Sequence, residues 1–236
     1  MNKLNGVFSV IKPTGITSAQ VCKRIKNVLN ETYAKLIDMD FLDPKVGHGG
    51  TLDYQASGVL AVGVGDGCKQ LSALLHGTKI YKCTIEFGVE TDTLHADGRV
   101  VRVLNNKNVN KEELKLSIEN KLGYTEQIPP LYSAIKFKGK RLSDLVMEGQ
   151  PLPVIKPRKV LLKSAECLEF KPPLVTLILE CGGGFYVRSL ARDLANDLNT
   201  CGHVKTLERI MHGPFTVGES LQESEWTFEN IQRAIS

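Results

Sequence analysis

The sequence predicts a chain of the α+β class, α/β in content, on three observations. Apolar and polar residues alternate in short runs such as Lys79–Phe87, the two-residue period of a half-buried strand. Elsewhere apolar residues return every three or four positions, as Val21, Ile25, Val28 and Leu29 do, which sets them on one helix face. Hydrophobic residues make up 42% and charged residues 24% of the 236, a globular balance with enough chain to bury a core.

Composition narrows the setting. The net charge of +4 is a mild excess, compatible with nucleic acid without requiring it. Six cysteines, at 22, 68, 83, 167, 181 and 201, contain no Cys-x-x-Cys pair. Such scatter suits thiols in a reducing compartment better than a disulfide framework or a zinc site, so no metal is expected. No apolar run is long enough to span a bilayer, and the first residues lack the pattern of a signal peptide or presequence. A soluble intracellular protein, nuclear or cytoplasmic, with no membrane partner is therefore expected.

Taken in order, Val7–Ile11 reads as a strand ended by the turn Lys12-Pro13-Thr14-Gly15. Thr17 or Ser18 then caps the helix of Val21, Ile25, Val28 and Leu29. Residues 31–44 have mixed polarity and no clear period, and are expected to be an insertion loop. The run Val59–Val64 is strand-like, and Asp66 is read as the cap of a helix carrying Leu71, Leu74 and Leu75. The Gly65–Lys69 segment lacks the spacing of a nucleoside-triphosphate loop. After the strand Lys79–Phe87, polar residues around Asp92 and Asp97 form a turn before the strand Arg99–Val103. Asn110 caps a helix with Leu114, Ile118 and Leu122, and 142–149 is a short helix. Strands follow at 160–170 and 174–181, then a glycine-led helix, a strand within Val204–Val217 and a closing helix from Thr227 to Ile235.

Three stretches carry chemistry. Between Lys45 and Gly65, Gly47, Gly49, Gly50 and Gly58 punctuate a segment holding His48, Thr51 and Asp53. Glycines at this density let the backbone approach a ligand closely, although the same residues also suit a surface loop whose Asp caps a turn. A lone carboxylate there can attack an anomeric carbon or act as a base, and nothing in the sequence pairs a second carboxylate with Asp53 as a glycosidase needs. Between Ile128 and Arg141, aromatics interleave with Lys136, Lys138 and Lys140. This fits either RNA-backbone contact or an edge strand protected by lysines. Finally, Gly182, Gly183 and Gly184 precede a helix N-terminus, where backbone N–H groups could cradle a phosphate.

His48-Gly49-Gly50-Thr51-Leu52-Asp53, followed by Ala56, Ser57, Gly58, Val59 and Leu60, resembles a motif of the TruB family of pseudouridine synthases. Other family motifs recur in order: Lys12-Pro13-x-Gly15 with Thr17 and Ser18, a Lys-x-Tyr ending at Tyr81, and Thr91-Asp92-Thr93. They are followed by Pro129-Pro130-x-Tyr132-Ser133-Ala134-x-Lys136, by Tyr186 and Arg188, and by Leu207 with Arg209. The resemblance implies a central mixed, mostly antiparallel sheet flanked by helices, in a single catalytic domain. It makes Asp53 the nucleophile, working at the ribose or by deprotonating its second carbon. It implies that Arg188 pairs with Asp53, Asp92 holds Arg188, and Tyr81 stacks on the target base. His48 would assist the flipping of that base, Tyr186 and Leu207 would line the substrate site, and Lys12, Pro13 and Lys136 would support it.

The implied reaction turns the T-arm uridine of tRNA, position fifty-five in tRNA numbering, into pseudouridine without cofactor or metal. Similar stem-loops in other RNAs, messenger RNA among them, are further targets. A monomer acting without guide RNA is expected. The long 31–44 spacer and the His-Gly-Gly form resemble eukaryotic members, and the RNA-binding PUA domain that bacterial and archaeal members append is not expected. Two rivals share the motifs: the catalytic subunit of guide-RNA particles, and an RNA-folding protein that kept the scaffold.

Overall fold

A computed structural model describes residues 4–37, 44–107 and 109–235. In chain order the elements are β1 (Gly6–Lys12), α1 (Ser18–Ile37), β2 (Val46–His48), β3 (Ser57–Val64), α2 (Leu71–His76) and β4 (Lys79–Phe87). Next come β5 (Val89–Thr91), β6 (Val100–Val103), α3 (Lys111–Glu119), β7 (Gly123–Gln127), β8 (Lys136–Phe137), β9 (Lys140–Arg141) and α4 (Leu142–Met147). The last are β10 (Arg158–Lys171), β11 (Leu174–Cys181), α5 (Val187–Asp197), β12 (Gly202–His212), β13 (Phe215–Thr216) and α6 (Phe228–Ile235). The predicted α+β content, a mixed sheet with flanking helices, is the observed one. The chain falls into two compact units, 1–81 with 208–236, and 82–207.

In the first unit β1 runs antiparallel to β3, from Gly6 opposite Val64 to Lys12 opposite Gly58. The start of β3 also pairs in parallel with β12, where Glu208 lies opposite Ser57 and Arg209 opposite Gly58. A strand covered on both faces needs apolar residues throughout, and β3 is buried from Gly58 to Val64. Phe8 and Val10 of β1, with Leu60, Val62 and Val64 of β3, pack against Val21, Ile25, Leu29 and Tyr33 of α1. Trp226, Phe228 and Ile231 belong to the same cluster, and the Tyr33 and Phe228 rings meet edge-to-face at 5.6 Å. A reciprocal pair starts α1: Gln20 N–H donates to Thr17 Oγ1 at 3.1 Å, and Thr17 N–H donates to Gln20 Oε1 at 2.7 Å.

The second unit is built on β10 and β11, a long antiparallel pair extended in the order β4, β11, β10, β7. Val160 and Leu162 of β10, Leu177 and Leu179 of β11, and Cys83, Ile85 and Phe87 of β4 are buried. So are Leu114 and Ile118 of α3 and Leu190 and Leu194 of α5. The β8–β9 hairpin turns on Lys138 and Gly139, whose φ angles of 48° and 87° are the paired positive values of a tight hairpin turn.

Several sequence expectations need correction. The helix does not end near residue 30: α1 runs on to Ile37, so 31–37 is helical, and 38–43 lies outside the described residues. Local propensity is silent there, whereas Tyr33 gains a place in the core. Asp66 caps nothing. It sits within a 3-10 turn, Gly65–Gln70, with its carboxylate 2.6 Å from Lys69 on the surface. Helix α3 stops at Glu119, leaving Leu122 outside it and exposed. Strand β7 was invisible in the sequence because Gly123–Gln127 is mostly polar, and pairing with β10 makes it a strand.

Candidate active site

In the first unit, the loop between β2 and β3 carries Asp53, which is half-buried. Polar contacts fix the loop on several sides. Gly49 N–H donates to Ala61 O at 2.9 Å, and Leu52 N–H donates to the hydroxyl of Ser18, at the start of α1, also at 2.9 Å. A turn closes around Asp53, with Ala56 N–H donating to its carbonyl at 3.1 Å. Tyr54 O accepts from Gly15 N–H at 2.9 Å and from the Lys12 ammonium at 3.2 Å.

Lys12 is wholly buried, and its Nζ also donates to Pro13 O and Ile16 O, both at 2.8 Å. One cation thus ties the turn of residues 13–16 to the loop of Asp53. Burial pulls its pKa down to about 8, while the negative charge of Asp53 opposes the shift and Arg209 adds to it.

Arg209 of β12 is the largest fully buried side chain, although its Leu-x-Arg segment suggested no role for it in the site. Its Nε donates to Val59 O at 2.7 Å and its Nη2 to Gly50 O at 3.1 Å, so the guanidinium joins β3 to the loop. Nη1 lies 3.4 Å from the hydroxyl of Tyr81, a buried residue of β4. Gly58 permits the parallel β3–β12 contact. A Cβ on Gly58 would stand 2.2 Å from Arg209 O, and its φ is +108°. His212, at the end of β12, is also buried, and Ala61 N–H donates to its Nδ1 at 3.4 Å. The other ring nitrogen lies 3.3 Å from Leu74 O. Burial, with the charges of Arg209 and Lys79, lowers the His212 pKa to about 3, which keeps the imidazole neutral. His48 closes β2 and is half-buried.

In the second unit Arg188 is buried in the first turn of α5, not a surface partner. Nη1 donates to Thr93 O and Nη2 to Tyr132 O, each at 2.9 Å. Ser189 Oγ and Arg192 Nη2 both donate to Ile128 O, at 2.9 and 3.0 Å, so α5 also grips the segment before Tyr132. Asp92 does not hold Arg188 by a direct bond. Its Oδ1 accepts from Arg99 N–H at 2.9 Å, closing the turn whose Thr93 carbonyl meets Arg188. The backbone of half-buried Tyr186 is held by Gln127, which accepts from Tyr186 N–H at 3.0 Å and donates to Tyr186 O at 3.3 Å.

That last pair removes a donor from the expected phosphate cradle, and Gly182 N–H donates to Leu161 O, so the glycine run closes β11 onto β10. Leu207 is buried, and Lys136 is exposed on the β8–β9 hairpin, facing Arg141 across it. Neither Gln127 nor Ser18 showed its bracing role in the sequence, because each matters there only through a residue distant along the chain. None of the six cysteines forms a disulfide, and burial pushes the Cys22 and Cys83 thiols up to about 12. Among the described residues no group of three or more His, Cys, Asp or Glu side chains could hold a metal ion. No helix of the described residues is long and apolar enough to cross a membrane.

Residues 37–187 match the family described as TruB family pseudouridylate synthase, N-terminal domain. Pseudouridylate synthase TRUB1 of Mus musculus is 40% identical over 243 residues, covering 98% of this chain and 70% of the mouse protein. tRNA pseudouridine synthase B of Clostridioides difficile (strain 630) is 35% identical over 230 residues, covering 96% of this chain and 72% of that protein. The chain belongs to the TruB family of pseudouridylate synthases. The fold agrees: a chain in the crystal structure of a Cbf5-Nop10-Gar1 complex matches with a TM-score of 0.69 at 24% identity, over 98% of this chain and 59% of that one. In TruB terms, the loop of the His-Gly-Gly-Thr-Leu-Asp segment is here held by Lys12, Ser18 and the arginine of the Leu-x-Arg segment.

Proposed function

We propose that this protein converts the T-loop uridine of tRNA, position fifty-five, to pseudouridine, with Asp53 as the nucleophile. The observation that carries the reading is the 40% identity to a pseudouridylate synthase across nearly the whole chain, with Asp53 in the loop that Lys12 and Arg209 brace. The 35% identity to a tRNA pseudouridine synthase supports tRNA as the substrate.

The reaction is an isomerisation. The bond from ribose C1′ to uracil N1 breaks, the uracil turns, and a bond forms from C1′ to C5. The C5 proton is lost and N1 gains one, so neither an oxidant nor a co-substrate is consumed. The uridine leaves the stack first, at a cost of roughly a few kcal/mol. Asp53 begins the chemistry as a carboxylate, at C1′ or by taking the proton on C2′. By the family resemblance Arg188 is the cation assigned to balance the charge of that carboxylate. Tyr81 presents its ring to the uracil, while Arg209 touches its hydroxyl and limits how the ring turns. His48 and Tyr186 contact the RNA, and Leu207 contributes an apolar wall. A stand-alone enzyme on tRNA, without guide RNA, is the form we favour, and stem-loops of messenger RNA are secondary substrates.

The test uses purified protein, an unmodified T-arm transcript, no guide RNA, and pseudouridine mapped by nucleotide. Modification at the T-loop uridine is expected, lost in Asp53→Asn while RNA binding remains. Tight binding by the unaltered protein without turnover would reject the stand-alone enzyme in favour of a guide-dependent or RNA-folding role.

A further inference from the structure

The turn that follows Asp53 carries a side chain the mechanism above does not use. Ala56 N–H donates to Asp53 O at 3.1 Å, which places Tyr54 and Gln55 at the two corners of the turn. Leu52 before the turn and Ala56 at its end are buried, whereas Tyr54 is 50% exposed. Turn formation does not account for a tyrosine there. Corners favour glycine, proline, asparagine, aspartate and serine, for reasons of backbone conformation or local hydrogen bonding that a phenol ring does not supply. Nor does the core account for it, which takes Tyr33 and Tyr81 of the same unit.

A single exposed aromatic is ordinary on a protein surface. Tyr54 differs in how its backbone is held and in what stands next to it. Its carbonyl accepts from two donors, Gly15 N–H at 2.9 Å and the Lys12 ammonium at 3.2 Å, and Lys12 is itself wholly buried. The same ammonium binds Pro13 O and Ile16 O, so the corner is tied to a second turn. The main chain of Tyr54 is thus fixed from the protein side while half the side chain stands in solvent. Only two side-chain torsions remain to be ordered when something covers the ring. Asp53 is the preceding residue, its Cα about 3.8 Å away. A uridine whose ribose reaches the Asp53 carboxylate therefore brings its neighbour in the strand within reach of Tyr54. Flipping that uridine strips the neighbouring base of a stacking partner, and every base offers a π-face to an aromatic ring.

We infer that the ring of Tyr54 stacks on the base next to the flipped uridine, replacing the stacking that base loses and holding the strand in place beside Asp53. This rests on the protein acting on RNA with Asp53 as its nucleophile, as proposed above. Stacking uses the face of a base and not its edges, so Tyr54 holds the strand without reading its sequence.

The experiment is a double-mutant cycle between protein and RNA. Binding of the T-arm transcript is measured for the unaltered protein, Tyr54→Phe and Tyr54→Leu. It is measured again on two transcripts that lack the base on the 5′ or the 3′ side of the target uridine and keep the sugar–phosphate. On the complete transcript Tyr54→Leu should bind about tenfold more weakly, and Tyr54→Phe, which keeps the ring, should stay within about twofold of the unaltered protein. On at least one abasic transcript the gap between Tyr54→Leu and the unaltered protein should close to less than about twofold, because the ring has lost its partner. A gap that persists on both abasic transcripts, or no gap on the complete one, overturns the inference. Binding by Tyr54→Phe as weak as by Tyr54→Leu would assign the contact to the hydroxyl and overturn it too. A variant with a weakened fold would bind all three transcripts less well by the same factor, so it cannot imitate the expected cycle. If the unaltered protein binds the transcript but leaves it unmodified, the enzymatic reading fails while the cycle still decides the stack. If it does not bind the transcript, both fail.

Discussion

Arg209→Met should be among the most damaging single changes outside the reacting groups. The guanidinium is 1% exposed and supplies two well-placed bonds, to Val59 O at 2.7 Å and Gly50 O at 3.1 Å. Hydrogen bonds to a charged group contribute about 1.5 kcal/mol each at the low end, and methionine leaves both carbonyls buried without this donor. The contact with the Tyr81 hydroxyl, at 3.4 Å, is too long to add much. The expected loss is therefore about 3 kcal/mol. For a chain of this length that lowers the melting temperature by roughly 6–12 °C. Turnover should fall further than stability accounts for, because Gly50 O anchors the loop of Asp53. Arg209→Lys keeps the charge but reaches only one carbonyl, so it should recover part of the loss. Thermal melting and turnover of the three proteins, measured together, test this. If Arg209→Met melts within about 2 °C of the unaltered protein and keeps full turnover, the bracing role is wrong.

Other outcomes follow from the same geometry. Gly58→Ala forces a Cβ to 2.2 Å from Arg209 O at a φ of +108°, so it should give little soluble protein or melt far below Arg209→Met; near-normal melting would contradict the close β3–β12 approach. Tyr81→Phe keeps the ring and gives up the hydroxyl's long bond to Arg209, so it should retain much more turnover than Tyr81→Leu, and the reverse ranking would argue against stacking. His212, with its pKa lowered to about 3, stays neutral in the folded protein while the unfolded chain takes up a proton below the usual value of 6.5. Its contribution to stability is thus complete above that pH and is lost as pH falls, by about 2 kcal/mol between pH 6.5 and pH 5; urea unfolding of the unaltered protein and His212→Asn should differ in slope over that window. For Lys12, whose pKa is lowered to about 8, the folded protein sheds a proton between pH 8 and 10.5 that the unfolded chain keeps, so stability from this group rises there. Turnover should nevertheless fall above about pH 8 as the cation near Asp53 is lost, and Lys12→Met should lack that limb in a pH–rate profile.

Which parts of this protein were legible in one dimension depended on whether the signal was local. Strand β4 falls on Lys79–Phe87, as its alternation predicts, and Asn110 caps α3 by accepting from Glu113 N–H. Helix α1 overran its predicted end, and β7 was missed, because a core place for Tyr33 and a ladder with β10 outweigh weak local preference. The candidate site divides in the same way. Asp53, Tyr81 and Arg188 stand in motifs that name residue types at fixed spacings, whereas Gln127, Ser18 and His212 act through partners dozens or more residues away.

By itself, then, the sequence determined the class of fold, the family, and the loop of glycines that carries Asp53, since turns, caps and hydrophobic periods depend on neighbours a few residues apart. Only the tertiary structure decided that Arg209 and Lys12 are buried cations bracing that loop, and that Asp92 reaches Arg188 through a turn. The physical reason is that a buried charge is tolerable only where distant backbone carbonyls converge on it, and that convergence is a property of strand pairing and register, not of local sequence.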